Sequence, residues 1–159
     1  RPGIKWTNDL VSDRRKLGGI LTELRLDKNG NVDYAIIGIG INCCQREADF
    51  PEEIRTVAGS LSMVTGAPVD RARLAAAELE ALHRMSADLL PRKAQIMTRY
   101  RRDCITLGQE VSLVRGEEVR HGLAQDIDED GALVVRFPDG HTEAVNSGEV
   151  SVRGMYGYV

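Results

Sequence analysis

Three short clusters in this sequence combine residue types that can act on a phosphate or a carboxylate. The first, Lys5-Trp6-Thr7-Asn8-Asp9, sets a cation, an amide and a carboxylate within five residues. On its own an Asn-Asp pair most often closes a turn through local backbone hydrogen bonds. Its chemical reading is that Asp9 helps hold Mg²⁺ and phosphate oxygens while Asn8 makes directional bonds to a nucleotide. Magnesium takes one or two carboxylates plus phosphates, so a single Asp is sufficient. The second cluster is Arg14-Arg15-Lys16 ahead of Gly18-Gly19. A basic run is usually a solvated loop, but Lys16 at the mouth of a buried strand is placed to neutralise an anionic ligand. Gly18 and Gly19, lacking Cβ, let a ligand or a neighbouring backbone approach closely.

The third cluster, Gly38-Ile39-Gly40-Ile41-Asn42, has the start of a dinucleotide-binding fingerprint but not its end. Cys43 stands where a third glycine is required, and no helix signal follows. Gly38 and its neighbours instead fit a central strand that something approaches closely, with the Asn42 amide at its end. His83, His121 and His141 are too far apart in sequence to suggest a metal cluster. Cys43, Cys44 and Cys104 fit neither a disulfide framework nor a zinc spacing, and read as reduced, partly buried thiols.

The elements that must position these residues divide into two groups. Residues 16–26 alternate imperfectly between apolar and polar, as a strand with one covered face does. Asn29-Gly30 follows as a type I′ hairpin signal, and residues 34–42 are a continuous apolar run that suits a strand buried on both faces. Residues 43–68 read as a long loop with a short helix around 51–57. Asp70 then looks like an N-cap, with Ala75, Leu79, Leu82, Met85 and Leu89 at helical spacing. Pro91 interrupts that helix, and a second carries Met97, Tyr100 and Cys104 on one face. Beyond residue 106 the period switches to two. Short strands are predicted at 111–114, 119–127, 133–137, 142–145 and 150–152, with Arg115-Gly116, Asp130-Gly131 and Asp139-Gly140 as turns. Five short strands in so few residues suggest a small barrel, and the domain boundary falls between residues 105 and 106.

Composition narrows the class. The 159 residues carry 28% charged residues and a net charge of −3, so nothing points to nucleic acid as an obligate partner. The apolar runs are too short for a bilayer span and no signal-peptide pattern opens the chain. A cytoplasmic setting is expected. The sequence starts without Met directly ahead of a motif that reads as functional, so a fragment is the expected status.

Taken in order, these pieces resemble the biotin protein ligase family. Its Lys-Trp-Pro-Asn-Asp motif is matched by Lys5 to Asp9, its Arg-Lys-Leu-x-Gly-Ile-Leu strand by Arg15 to Leu21, and its Gly-x-Gly-Ile-Asn element by Gly38 to Asn42. An Ala-x-Ser-Leu segment lies at Ala58 to Leu61, and the ending Gly148 to Arg153 is similar to the family's last strand. The resemblance implies an α+β fold: part of a class II synthetase-like catalytic domain with a mixed or antiparallel sheet, then an SH3-like β-barrel. It implies ATP-dependent formation of biotinyl-5′-AMP with Mg²⁺, then transfer of biotin to a lysine of a biotin carboxyl carrier protein or a carboxylase biotinyl domain. Lys16 would be the catalytic contact to carboxylate and phosphate. Lys5, Asn8, Asp9, Gly18, Gly19, Gly38 and Asn42 would bind substrate or nucleotide, and Asp9 would serve the metal. Bacterial members commonly form homodimers.

Two departures qualify the resemblance. Thr7 replaces the family's proline, loosening a turn that proline would preset. The family's glycine-arginine biotin loop and the DNA-binding domain of its repressor-type members are absent from the sequence, so this segment alone is expected to bind biotin poorly and to turn over slowly. A lipoate ligase or transferase, with its related fold, is the alternative within the enzyme class. A non-catalytic protein-binding module is the alternative outside it.

Overall fold

The computed structural model describes residues 1–146 and the backbone of residues 151–154. It is an α+β arrangement of two antiparallel sheets joined by helices. The first sheet runs in the order β1 (Gly3–Lys5), β2 (Asp9–Ser12), β3 (Arg15–Leu26), β4 (Val32–Ile41). Helices α1 (Leu61–Thr65), α2 (Arg71–Asp88) and α3 (Lys93–Asp103) follow. The second sheet contains β5 (Glu110–Arg115), β6 (Glu118–Ile127), β7 (Leu133–Arg136), β8 (Thr142–Val145) and β9 (Ser151–Gly154), in the order β8-β7-β6-β5-β9. All five predicted strands of this region are found with small shifts at their ends. Val150 lies outside the described residues.

Turn chemistry accounts for the hairpins, with one correction. Asn29-Gly30 is not a type I′ turn. Gly30 alone has positive φ (85°), and the Asp27 carboxylate accepts the Asn29 and Asn31 amides at 2.8 and 2.9 Å. That side-chain bonding holds a wider loop than a two-residue turn. The turn with positive φ at both central residues is Asp13-Arg14 (50° and 61°), between Ser12 and Arg15. Neither residue is glycine, so no Asn-Gly signal marks it. In the predicted loop at 43–68, a 3₁₀ turn (Glu52–Ile54) stands where the short helix was expected, and a second 3₁₀ turn (Glu47–Asp49) and α1 are additional. Asp70 caps α2 as anticipated, its carboxylate accepting the Arg73 amide at 3.0 Å.

The hydrophobic core sits in the second sheet. Val111, Leu113, Ala124, Ile127, Leu133, Val135 and Val145 are buried there, and Trp6 and Cys104 join them from outside it, with Met97, Tyr100 and Leu107 packed around. The first sheet differs from expectation. β4 is exposed along most of its length rather than buried on both faces: Val32 is 59% exposed and Ile36 56%. Apolarity marks a strand fit for burial, but burial needs a facing layer, and none of the described residues supplies one. Helix α2 likewise buries no residue, and Leu79 on its apolar stripe is 67% exposed. Among the described residues no helix is long and apolar enough to cross a membrane.

Candidate functional site

Alternation along β3 would set Lys16 on the same face as Gly18 and Ile20. The pairing prevents this. Leu10 faces Gly18 and Val11 faces Lys16, leaving Leu17 as an extra residue in β3. Such a bulge reverses the side-chain alternation and re-aims what precedes it. Lys16 is thereby turned onto the face of Gly19, where its Nζ meets Asp9 Oδ1 at 2.6 Å. The pair is partly open, with side-chain exposures of 40% and 18%, so the lysine is held near Asp9 yet reachable by solvent.

Register fixes what lies beneath. Gly19 pairs with Gly40 and Leu21 with Gly38, so Gly19, Gly38 and Gly40 share one face of adjacent strands. A Cβ at Gly38 or Gly40 would meet only a backbone oxygen, at 3.8 or 4.0 Å. The result is a flat floor without side chains. Asn8, Asp9, Lys16, Gly19, Ile20, Leu21, Gly38, Ile39 and Gly40 line an open cavity of about 400 Å³ over it, within the usual size of small-molecule sites. The turn that supplies Asn8 and Asp9 connects β1 to β2 and contains a cis Trp6–Thr7 peptide bond. Asn8 seats it on β3: its carbonyl accepts the Ile20 amide at 3.0 Å, and its side-chain amide donates to the Ile20 carbonyl.

The cavity therefore gathers Asn8, Asp9, Lys16, Gly19 and Gly38, but not three other expected residues. Lys5 lies opposite Asp9 in the β1–β2 register without lining the cavity. Gly18 serves packing: a Cβ there would stand 2.2 Å from the Gly40 carbonyl oxygen. Asn42 spends its side-chain amide on the Gly59 carbonyl at 3.0 Å and sends its backbone N–H to Leu17 O at 2.7 Å. It ties residues 57–61 to β3, beside the parallel bridge between Lys16 and Ala58. Sequence reasoning put Gly40 with Gly38 on a closely approached strand without singling it out as a binding residue, although its spacing of two from Gly38 carried the signal. It also passed over Trp6, which is buried and donates from Nε1 to Gly131 O at 2.9 Å, reaching into the second sheet.

The histidines lie elsewhere. His121 Nδ1 sits 3.0 Å from Ser112 Oγ, and His141 stacks on Phe137 and bonds Asp139. A larger cavity of about 670 Å³ on the second sheet is lined by Glu110, His121, Arg136 and Phe137, among others. It holds no close cation–carboxylate pair over a bare floor, so its size does not make it the better site. Among the described residues no group of three or more metal-ligating side chains occurs.

Comparison with known proteins gives a consistent result. Residues 3–42 match the family model described as the biotin/lipoate A/B protein ligase family, and residues 106–153 match the biotin protein ligase C-terminal domain. The biotin--[acetyl-CoA-carboxylase] ligase of Mycobacterium tuberculosis is 33% identical over 150 residues, 93% of this chain and 52% of that protein. The bifunctional ligase/repressor BirA of Escherichia coli is 32% identical over 152 residues, 94% of this chain and 46% of its own length. The chain thus spans about half the length of the curated relatives it matches. Among solved structures, biotin protein ligase from Aquifex aeolicus in complex with biotin and ATP superposes with a TM-score of 0.74 at 32% identity, covering 96% of this chain and 62% of that one. The apo form of the same enzyme gives 0.76.

Proposed function

Because the chain belongs to the biotin protein ligase family, we propose that its glycine-floored cavity is the adenylating centre of such a ligase, with Lys16 as the catalytic residue. The observation that carries this reading is the Lys16–Asp9 pair held over Gly19, Gly38 and Gly40. In the first half-reaction a biotin carboxylate oxygen attacks the α-phosphorus of ATP, and pyrophosphate leaves. Negative charge builds on the phosphorus oxygens, where a fixed ammonium stabilises the transition state more than the ground state. Lys16, parked on Asp9, needs only to swing from one carboxylate to that centre. In the second half-reaction the amine of an acceptor lysine attacks the acyl carbon, forming an amide and releasing AMP.

The bare floor would receive a flat portion of the adenylate, with Leu21 at its rim and Asn8 at the nucleotide end. Gly18 and Asn42 act here by shaping the strand that carries Lys16 rather than by touching the ligand, and Lys5 lies on the phosphate side by its register with Asp9. Asp9 fits the role of single protein carboxylate for a magnesium ion held mainly by ATP phosphates, an ion that would neutralise phosphate charge. We place the boundary with the C-terminal, SH3-like module between residues 105 and 106. The acceptor is read as a biotin carboxyl carrier protein or a carboxylase biotinyl domain, and the setting as cytoplasmic.

Pyrophosphate release driven by biotin, ATP and Mg²⁺ tests the proposal. The 159-residue chain is expected to turn over slowly and Lys16→Ala to remove what turnover there is. Undiminished release in Lys16→Ala overturns the role given to Lys16. Robust biotinylation of a carrier protein by the chain alone would contradict the slow turnover expected of it.

A further inference from the structure

The turn that delivers Asn8 and Asp9 is gripped from behind by side chains that lie about a hundred residues away in sequence. The Trp6 backbone amide donates to Thr106 Oγ1 at 2.9 Å, and the Tyr100 hydroxyl donates to the Thr7 carbonyl at 2.7 Å. The peptide groups on either side of the Trp6–Thr7 bond are therefore both satisfied by hydroxyls, one from α3 and one from the link to β5. Thr106 is 3% exposed and Trp6 6%, so water does not offer a ready substitute in the bond between them, and the Tyr100–Thr7 bond is partly buried. Burial, with the Cys104 thiol beside it, holds the Tyr100 hydroxyl protonated well above the ordinary tyrosine value. Its partner, a backbone carbonyl, can only accept, so the hydroxyl is the donor of this bond. On its other side the turn rests on β3 through the two Asn8–Ile20 bonds.

We propose that Tyr100 and Thr106 are positioning residues for the nucleotide-side edge of the site, acting on Asn8 and Asp9 through the Trp6–Thr7 backbone. This rests on the reading of the cavity as a nucleotide site. The physical argument is one of unpaired groups. Without the Thr106 hydroxyl the buried Trp6 N–H lacks its partner, and without the Tyr100 hydroxyl the part-buried Thr7 C=O lacks its own; each regains one by moving toward solvent. Thr7 is followed at once by Asn8 and Asp9, so that movement displaces both. Helix α3 and the link to β5 thus set the geometry of a site to which they contribute no lining residue, with Trp6, bonded to Gly131 O, pinning the turn to the β6–β7 connection.

The test uses the full 159-residue chain and four variants: Tyr100→Phe, Thr106→Val, Thr106→Ser and Val145→Ala. The serine keeps the hydroxyl. Val145 lies in the same core but touches none of these bonds, so it reports what simple loss of stability does. Two quantities are read: hydrogen exchange at the Ile20 amide, which is bonded to Asn8, and the affinity for ATP–Mg²⁺. Tyr100→Phe and Thr106→Val are expected to speed Ile20 exchange roughly five- to tenfold, the factor that follows from losing one such bond, and to weaken ATP binding by a similar factor. Thr106→Ser should restore wild-type behaviour, and Val145→Ala should leave the Ile20 amide and ATP affinity unchanged. Ile20 exchange that is unaltered in both hydroxyl variants, or raised equally by Val145→Ala, overturns the proposal. A chain that shows the exchange pattern yet binds no ATP supports the positioning role and overturns the nucleotide reading instead.

Discussion

Replacing Gly18, Gly19 and Gly38 one at a time by alanine separates the packing glycines from the ligand-facing ones. At Gly18 the new Cβ would stand 2.2 Å from the Gly40 carbonyl oxygen and 3.1 Å from the Ile41 Cα. These are backbone atoms of the paired strand, so β3 and β4 must separate. Overpacking of that kind costs about 2–3 kcal/mol. At Gly38 the methyl meets only Leu21 O at 3.8 Å, and removing a strand glycine lowers the entropy lost on folding. The change there should lie within about 0.5 kcal/mol of wild type, on the stabilising side. Gly19 falls between: its Cβ would reach Asp9 Oδ1 at 3.0 Å and Lys16 Cε at 3.5 Å, both ends of movable side chains. Stability should change little there, but the Lys16–Asp9 pair must shift. Trp6 is the one tryptophan of the sequence, so urea unfolding followed by its fluorescence reads all three variants. With a urea slope of about 1–3 kcal/mol per M, Gly18→Ala should lower the midpoint by on the order of 1 M and Gly38→Ala should not lower it. ATP or biotinyl-5′-AMP affinity should fall about tenfold in Gly38→Ala, because a methyl intrudes on the floor. If Gly38→Ala destabilises as much as Gly18→Ala, or binds ligand unchanged, the floor is not a ligand surface.

Other consequences follow from the same geometry. Lys16→Ala should reduce adenylate formation by about 10²–10³-fold while leaving the urea midpoint near wild type, as loss of one preorganised charge contact does; single-turnover pyrophosphate release measures it. Arg14→Gly should stabilise the chain by about 1 kcal/mol, because φ at Arg14 is +61° and only glycine adopts that region without a steric cost; equilibrium unfolding in urea checks the sign. The Arg120 guanidinium, bonded to Glu143, holds that carboxyl below its ordinary value of 4.5. A depressed folded value gives stability that is present above the unfolded value and lost as pH falls through the folded one. The thermal midpoint should therefore drop below pH 4.5, and Glu143→Gln should make that acid limb shallower.

Local chemistry was legible in the sequence where the signal and its partner lie close together. Asp70 announced the start of α2, the period-two runs beyond residue 106 gave the strands of the second sheet, and Asn8, Asp9 and Lys16 were marked by type and spacing. What was not legible depends on pairing between distant residues. The Leu17 bulge that turns Lys16 toward Asp9 is a property of the β2–β3 register, and no single-strand pattern encodes it. The grip of Tyr100 and Thr106 on the Trp6–Thr7 backbone spans about a hundred residues and joins ordinary residue types. The apolar run at 34–42 was read as a fully buried strand because composition reports fitness for burial, whereas burial itself requires a covering layer. Asn42, read from the sequence as a nucleotide contact, donates its side-chain amide to the Gly59 carbonyl, a partner seventeen residues away that no local pattern marks.

The most direct measurement is a titration of the isotope-labelled chain with biotinyl-5′-AMP, followed residue by residue in amide and side-chain NMR spectra. Shifts concentrated at Asn8, Asp9, Lys16, Gly19, Gly38 and Gly40, and weakened in Lys16→Ala, are the expected result. Shifts that leave the glycine floor untouched and gather at Glu110, His121 and Arg136 on the second sheet would contradict the assignment of the adenylating centre.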